Sequence, residues 1–384
     1  MKPLKTVRLG AALLVGAALT LLTGLPVLLG AAAVYGASFL TSIPTNLPPG
    51  VLMDISITTS TILEDWQEYY VNAGQSAEDI LQAVQDKRDF INVAERRVVD
   101  GDIYQLSESE ITDVLQAFKN TFSAKGAVTM TPVPIRLRNV KIDLSLNPDK
   151  IKSSYYGFLA GLPSADRASW PIVRWIWEKL VMPKSAANLA YVDWAGQFVS
   201  PTENSTAGTT LGAYDGLKKI ITDDLDGGTP KMNELTLSNS LLNTAQTFSA
   251  FEEALDQLDQ KYHDEEMVYL CSPKTYLAYF RDRRNSIGDN ADYAMKNNSR
   301  VMTLDGRDNH EIIKMNGIGR AGDHGWLVIT PKRNLFHCNR QNAYNVAMES
   351  DKRSVALMAD WYEGVGFGLA EEVFVVRQTD DSSN

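Results

Sequence analysis

Between residues 127 and 195, a charge-decorated strand pattern runs directly into an amphipathic helix rich in tryptophan, a pairing that suggests a part built into a larger structure. Ile135 and Leu137, then Val140, Ile142, Leu144 and Leu146, alternate with Arg136, Arg138, Lys141 and Asp143. That period of two marks a strand with one wetted face. The phase changes at Asn139, as it does where a β-bulge bends a strand and re-aims its faces. Residues 127–131 follow a turn at Ser123-Ala124-Lys125-Gly126, and the apolar residues of 111–118 are placed to supply the opposing strand. The expectation is a long hairpin over about 102–146.

The helix that follows starts near Trp170, with Ser169 as a candidate N-cap and Pro171 in the first turn. Trp170, Val173, Ile176, Trp177 and Leu180 fall at helical spacing and form the candidate core face, together with Ile172 and Val181. Arg174, Glu178 and Lys179 mark the other side, and Trp175 falls nearer to it. Pro183 is expected to kink or break the helix before residues 186–194 resume it. Three tryptophans in eight residues read first as core packing and second as an intersubunit contact.

The chain of 384 residues has room for two or three domains. Its formal net charge is −10; Lys2, Lys5 and Arg8 contribute +3 to residues 1–52, which contain no acid, so residues 53–384 carry −13. An acidic body argues against tight nucleic-acid binding by net charge. Residues 9–40 are apolar, and no charge occurs between Arg8 and Asp54. Three readings stand: a membrane span or anchor, a secretory signal, or an upstream extension preceding a start at Met53, where the composition breaks.

Residues 54–98 look helical in places but show no dominant core pattern, as expected of an arm on a neighbouring surface or of a surface helix. The polar loop 200–210 is a candidate domain boundary. Beyond it the pattern is α/β. Helices are expected around 217–225 and 248–262, a buried strand at 266–271, a helix at 274–284 and strands at 311–315, 326–330 and 335–338. The tail alternates at 344–348 and 354–376.

Gly317-Ile318-Gly319-Arg320-Ala321-Gly322 spells the dinucleotide-binding pattern, but it leads into a strand, whereas that site needs a helix N-terminus. A tight turn is the expected reading. Gly364, Gly366 and Gly368 suggest bends or close backbone approach. Asp223, Asp224 and Asp226 read as a solvated helix end, and Arg281, Arg283 and Arg284 as cations at a helix C-terminus. His263, His310, His324 and His337 have no metal-like spacing. Cys271 and Cys338 read as reduced core thiols. No catalytic motif, cofactor site or metal site is found.

The order is helical segment, long hairpin, tryptophan-bearing helix, inserted α/β region and returning strands. In this order the chain resembles the major capsid proteins of tailed bacteriophages, the Hong Kong 97-like fold. Short phrases add to the likeness: Asn72-Ala73-Gly74-Gln75, Phe122-Ser123-Ala124-Lys125-Gly126, Thr131-Pro132, Gly157-Phe158-Leu159-Ala160, Trp170-Pro171, Asp215-Gly216, Ser272-Pro273 and residues 279–284. These look like capsid proteins of phages infecting Bacteroidetes.

The resemblance covers about residues 53–377 and implies an α+β class with the following layout. An apolar extension over 1–52 precedes an N-terminal arm over 53–98 and an extended β-hairpin loop over 99–146. A peripheral domain with a long spine helix spans 147–205, an axial α/β domain spans 206–336, and residues 337–384 return to the peripheral domain and end in a tail. Residues 1–52 depart from the family pattern.

The implied function is non-enzymatic: self-assembly through hexamers and pentamers into an icosahedral virion shell. Such a shell encloses double-stranded DNA without sequence-specific binding and works with portal, scaffold or decoration proteins. Lys125, Arg136, Arg138 and Lys141 are then the candidate assembly contacts. Some members crosslink a loop lysine to a neighbour's asparagine, and Lys125 sits at the corresponding tip. Two other readings remain: a bacterial nanocompartment shell of the same fold, and a membrane-anchored envelope protein or enzyme with its span at 9–40.

Overall fold

A computed structural model describes residues 57–71, 77–88, 90–111, 114–202, 206–287, 302–320 and 322–378. The chain divides between Ser56 and Ile57, and the fold below belongs to the unit that starts at Ile57. The readings placed on residues 1–52, including the span at 9–40, lie outside the described residues. Among the described residues no helix is long and apolar enough to cross a membrane.

Helix α1 (Thr59–Trp66) begins at Thr58, whose side-chain oxygen accepts from the Thr61 N–H at 3.3 Å. It widens into a π turn over Gln67–Val71, and α2 follows over Ala77–Gln85. The segment has a strong core pattern after all. Ile62, Trp66, Tyr70, Ile80, Leu81 and Val84 are buried in the main hydrophobic cluster of this same chain.

Two sheets follow. In the first, β1 (Glu95–Val99) lies parallel to β10 (Leu335–Arg340), and β12 (Ser354–Phe367) pairs antiparallel with β10, β11 (Asn345–Asp351) and β4 (Arg138–Leu146). The C-terminal strands therefore return to pair with the first third of the described chain. The second sheet has the order β5 (Asn233–Glu234), β13 (Phe374–Gln378), β9 (Gly325–Pro331), β6 (Met267–Cys271), β8 (Arg307–Lys314), β7 (Met302–Leu304). The last strand, β13, thus joins the second sheet and not the first: after Phe367 the chain crosses through Ala370–Glu372 and pairs with β9 from Phe374↔Ile329 onward.

Every residue of β6 is buried. Val268 and Leu270 enter the main core, while Met267, Tyr269 and Cys271 enter a second cluster with α7 (Thr247–Asp256). Alternate residues thus serve opposite faces, which is why the strand reads as an unbroken apolar run. Helix α8 (Pro273–Ile287) starts where Ser272 Oγ accepts from the Thr275 N–H at 3.0 Å. Arg283 in its last turns ion-pairs with Asp305 and is largely buried, so it serves more than the helix dipole.

After α3 (Pro148–Ala160), the spine is one helical run with a change of register inside it: α4 (Ile172–Trp175), a π turn over Ile176–Val181, then α5 (Met182–Ala195). Three expectations are corrected here. Pro171 occupies the N-cap, and Ser169 instead donates from its hydroxyl to the Asp166 carbonyl at 2.7 Å. The run does not break at Pro183: the wider register just before it leaves room for a residue with no N–H and a bulky ring. The π turn also inserts a residue into the period, moving the buried face from the 180 position to Val181 and Met182. Leu180, expected in the core, is 42 % exposed as a result, and Trp175, expected near the polar side, is buried at 6 %.

Residues 317–320 lie in a tight turn, with Gly319 at φ of 92° and Gly322 beyond it at 75°. Asp323 closes it by accepting from the Gly319 N–H at 2.6 Å, and β9 follows directly. No helix N-terminus is present there to hold a pyrophosphate.

Candidate assembly surface and a buried ionic cluster

Strand β2 (Ile103–Ile111) pairs antiparallel with β3 (Val128–Arg136), from Ile103↔Arg136 at the foot to Ile111↔Val128 near the tip. These two strands form a sheet of their own. The hairpin is shorter than expected, and its opposing strand is 103–111 and not 111–118. The phase change near Asn139 is a change of partner: after Leu137 the chain leaves β2 and, as β4, joins β12 with Arg138 opposite Glu363. Gly364 permits this junction, because a Cβ there would lie 2.6 Å from the Arg136 carbonyl oxygen.

Pro132 and Pro134 have no N–H to give to the ladder, and a strand with one partner tolerates them. A lone two-stranded hairpin is marginal in water, and at its foot Ile135 and Leu137 pack against Phe336 and Cys338.

The tip loop, residues 114–127, is exposed throughout. It presents Leu115 at 87 %, Phe118 at 91 % and Phe122 at 95 % exposure. Gln116 Nε2 donates to the Ser123 carbonyl at 2.8 Å and Lys125 Nζ donates to the Leu115 carbonyl, bracing the loop internally. Three large apolar side chains exposed in one loop make it the candidate assembly surface.

The candidate assembly contacts do not form one face. Lys125 is exposed at the tip and Arg136 at the foot. Arg138, already in the first sheet, stacks its guanidinium carbon 3.8 Å from the centroid of Phe198. Lys141 is exposed and pairs with Asp143 on its own strand. The break at Leu137 separates Arg136 from the other two.

Of the candidate core residues, Val173, Ile176 and Trp177 are fully buried. Trp170 is half-buried, with the Phe158 ring edge-on at 5.1 Å, Arg174 over its ring at 4.3 Å and Lys179 at 4.8 Å.

A buried ionic cluster joins three parts of the fold. Arg88, beyond α2, donates from Nη1 to both oxygens of Asp193 on the spine, at 3.0 and 3.1 Å, and from Nη2 to Glu363 on β12. Tyr214 donates to Asp193 Oδ1 at 2.6 Å, His337 Nε2 lies 2.7 Å from Glu363 Oε1, and Trp361 donates to Glu363 Oε2 at 2.7 Å. The side chains of Arg88, Asp193, Glu363 and His337 are wholly shielded from solvent. Burial alone would raise the pKa of Glu363, but the Arg88 charge and the hydrogen bonds outweigh it and hold the value at about 2. For Asp193 burial wins over Arg88, and the pKa is raised. In the sequence Arg88 falls in the segment 54–98, which reads as an arm or a surface helix, and His337 is one of four scattered histidines. The partners are 105 to 275 positions from Arg88, and no local spacing records them.

Burial pushes the thiol of Cys338 up to about 12 and raises that of Cys271 as well, so both are poor nucleophiles. The three aspartates at the C-terminal end of α6 (Leu217–Leu225) are engaged in structure. Asp223 pairs with Lys219, Asp224 Oδ2 accepts from the N–H groups of Lys231 and Met232, and Asp226 pairs with Arg377. Among the described residues no group of three or more His, Cys, Asp or Glu side chains could hold a metal ion.

No family model and no curated protein matches the sequence. Solved structures similar to it include the capsid of a native GTA particle, with a TM-score of 0.49 at 10 % identity over 76 % of this chain and 90 % of that one. Another is the satellite phage P4 procapsid, with a TM-score of 0.46 at 8 % identity over 79 % and 99 %. A third is the holo-SrpI encapsulin complex from Synechococcus elongatus PCC 7942, with a TM-score of 0.45 at 12 % identity over 77 % and 89 %. Likeness at this level transfers no activity or partner from one protein to another.

Proposed function

We propose that this chain is the self-assembling subunit of a closed protein shell with a Hong Kong 97-like fold, and more narrowly the major capsid protein of a tailed bacteriophage. The observation that carries the reading is the hairpin of residues 103–136. Its foot packs within its own chain at Ile135, while its tip offers Leu115, Phe118 and Phe122 to water. A soluble monomer gains nothing from such a loop, whereas a subunit that repeats across a shell covers it with a neighbour. The element order adds support: helical segment, hairpin, spine helix, second sheet, strands returning to the first sheet.

The narrower reading rests on the short capsid-like phrases in the sequence and on charge. A body of net −13 over residues 53–384 does not hold a packed polyanion against the wall. The test is to express the full chain and examine the soluble fraction by light scattering and negative-stain microscopy. Capsomers or closed particles of repeating subunits are the expected result. Stable monomers under every assembly condition, including in the presence of phage assembly partners, would sink the reading. Portal and terminase genes beside the coding sequence would favour a phage capsid, and a cargo-enzyme gene would favour a nanocompartment.

A further inference from the structure

The second sheet holds a buried histidine with both ring nitrogens committed. His310 lies on β8 opposite Met267 of β6 and is wholly shielded from solvent. Its Nε2 stands 3.2 Å from the His263 carbonyl oxygen and its Nδ1 3.1 Å from the Tyr269 hydroxyl. A carbonyl can only accept, so Nε2 carries the proton and donates. Nδ1 is then the bare nitrogen, and the buried Tyr269 hydroxyl donates to it. Both bonds belong to the neutral ring, in one tautomer.

Through the His263 carbonyl, β8 grips the turn Gln260–His263. That carbonyl also accepts from Asn309 Nδ2 at 3.1 Å and from Arg307 Nη1 at 3.3 Å. Tyr262 of the same turn is buried, with its ring edge-on to Phe374 of β13 at 5.1 Å. The turn therefore ties β8 to β13, three strands away in the sheet.

A proton on His310 would set two donors face to face. The Nδ1–H would meet the Tyr269 hydroxyl, whose own proton must then turn toward the apolar cluster in which Phe251 stacks on the Tyr269 ring. The charged and titratable groups that face the imidazole are Arg307 on its own strand, His263 on the turn and Tyr269 on β6, and no carboxylate is among them. On the other side β7 offers Met302, Thr303 and Leu304, and beyond Tyr269 lie Phe251 of α7 and Tyr279 of α8. Burial holds the pKa of His310 below the ordinary imidazole value, and the Arg307 and His263 charges act in the same direction.

We propose that His310 is an acid-sensitive lock on the second sheet: neutral, it holds the Gln260–His263 turn to β8, and protonated, it releases the turn and the β8–β7 edge while the spine and the first sheet stay folded. This goes beyond the shell reading and does not depend on it. Because the folded ring is harder to protonate than the unfolded one, its contribution to stability is complete above pH ~6.5 and is lost as pH falls through the folded value. Glu363 begins to lose its contribution only below pH ~4.3, so the loss through His310 comes first.

The test is amide hydrogen exchange of the full chain, read by mass spectrometry at pH ~7 and pH ~5 and corrected for the intrinsic rate. Peptides from 260–271 and 302–314 are expected to exchange faster at the lower pH, by up to about tenfold for each unit of pH below ~6.5, while those from 172–195 and 354–367 keep their protection. His310→Gln keeps a donor for the His263 carbonyl and cannot titrate, so the acid-induced rise should vanish in that variant. If that variant does not fold, Tyr269→Phe takes its place: with no hydroxyl proton against Nδ1 the ring is protonated at less cost, and the rise should shrink.

Equal protection of 260–271 and 302–314 at both pH values in the native chain overturns the lock. An opening that persists unchanged in His310→Gln, or in Tyr269→Phe where the first variant does not fold, overturns it as well. So does an opening in which the spine and β12 peptides lose protection to the same extent. Particle formation by the native chain is a separate readout, and its failure would leave the lock standing.

Discussion

At the scale of single residues, Arg88 is the position on which most depends. It is one cation between two carboxylates, all three shielded from water, and removing one partner of a buried ion pair costs ~3–5 kcal/mol because the remaining charge is left uncompensated. Arg88→Met is therefore expected to lose about that much stability in urea denaturation. Replacing Arg88, Asp193 and Glu363 together with Met, Leu and Leu should recover most of it, since apolar residues that fill a buried ionic site are often neutral or better. A triple variant as unstable as the single one would show that the cluster is not held together by charge.

The cluster also has an acid signature. The folded pKa of Glu363, about 2, lies below the ~4.3 of an unfolded glutamate. Its contribution to stability is thus present above pH ~4.3 and is lost as pH falls toward about 2. Asp193 acts in the opposite sense, because burial raises its pKa and the folded chain takes up that proton first. Glu363→Gln should start less stable than the native chain and show a shallower acid limb between pH ~4.3 and 2, measured by denaturation at stepped pH. None of this was legible in the sequence. A basic residue after an amphipathic helix looks like surface until its partners, far along the chain, fold around it.

At the scale of elements, the strands were largely legible and the spine helix was legible up to its π turn. The sequence pattern located β4, β8, β9, β10 and β11 to within a few residues: alternation records the half-buried β4, whereas β9 and β10 are almost wholly buried, and the run expected over 354–376 is two strands, β12 and β13. On the spine Val173, Ile176 and Trp177 are buried and Leu180 is exposed, since an inserted residue in the register leaves no mark in composition. The consequence for mutation is concrete. Truncating a buried tryptophan costs ~3–5 kcal/mol, so both Trp177→Ala and Trp175→Ala should unfold or aggregate the subunit, whereas Leu180→Ala should stay within ~0.5 kcal/mol of the native chain. A Trp175→Ala chain that melts like the native one would contradict the burial of that ring.

The hairpin was legible as an element but misplaced in extent. Its first strand is paired over residues that look polar, and its last expected portion belongs to another sheet. Arg136→Glu, on the exposed foot, is expected to leave melting unchanged. Arg138→Glu should lower it, because the guanidinium stacked on Phe198 would be replaced by a carboxylate against a ring face. Equal melting of the two variants would show that the stacking contributes nothing. Phe118→Ser with Phe122→Ser tests the element's role from the other side: both rings are exposed, so the subunit should fold normally and fail to assemble.

At the scale of the whole molecule, one core runs from the segment after Ile57 through the spine to both sheets. Ile62, Leu81, Trp177, Leu270, Val328 and Trp361 all belong to a single hydrophobic cluster. The N-terminal segment is thus part of what makes the unit stable, and the composition break at Met53 falls just ahead of it. Two expectations follow for shortened chains. Residues 53–384 expressed alone should fold cooperatively, because every described member of the cluster lies after Met53, and should form the same particles as the full chain. A chain cut after Ala94 should not fold, since it loses Ile62, Trp66, Leu81 and Val84 from the core and Arg88 from the ionic cluster, leaving Asp193 and Glu363 buried without their cation. Calorimetry distinguishes the two by the presence or absence of a single sharp transition. A 95–384 chain that melts as cooperatively as 53–384 would mean that the segment rests on the fold without supporting it.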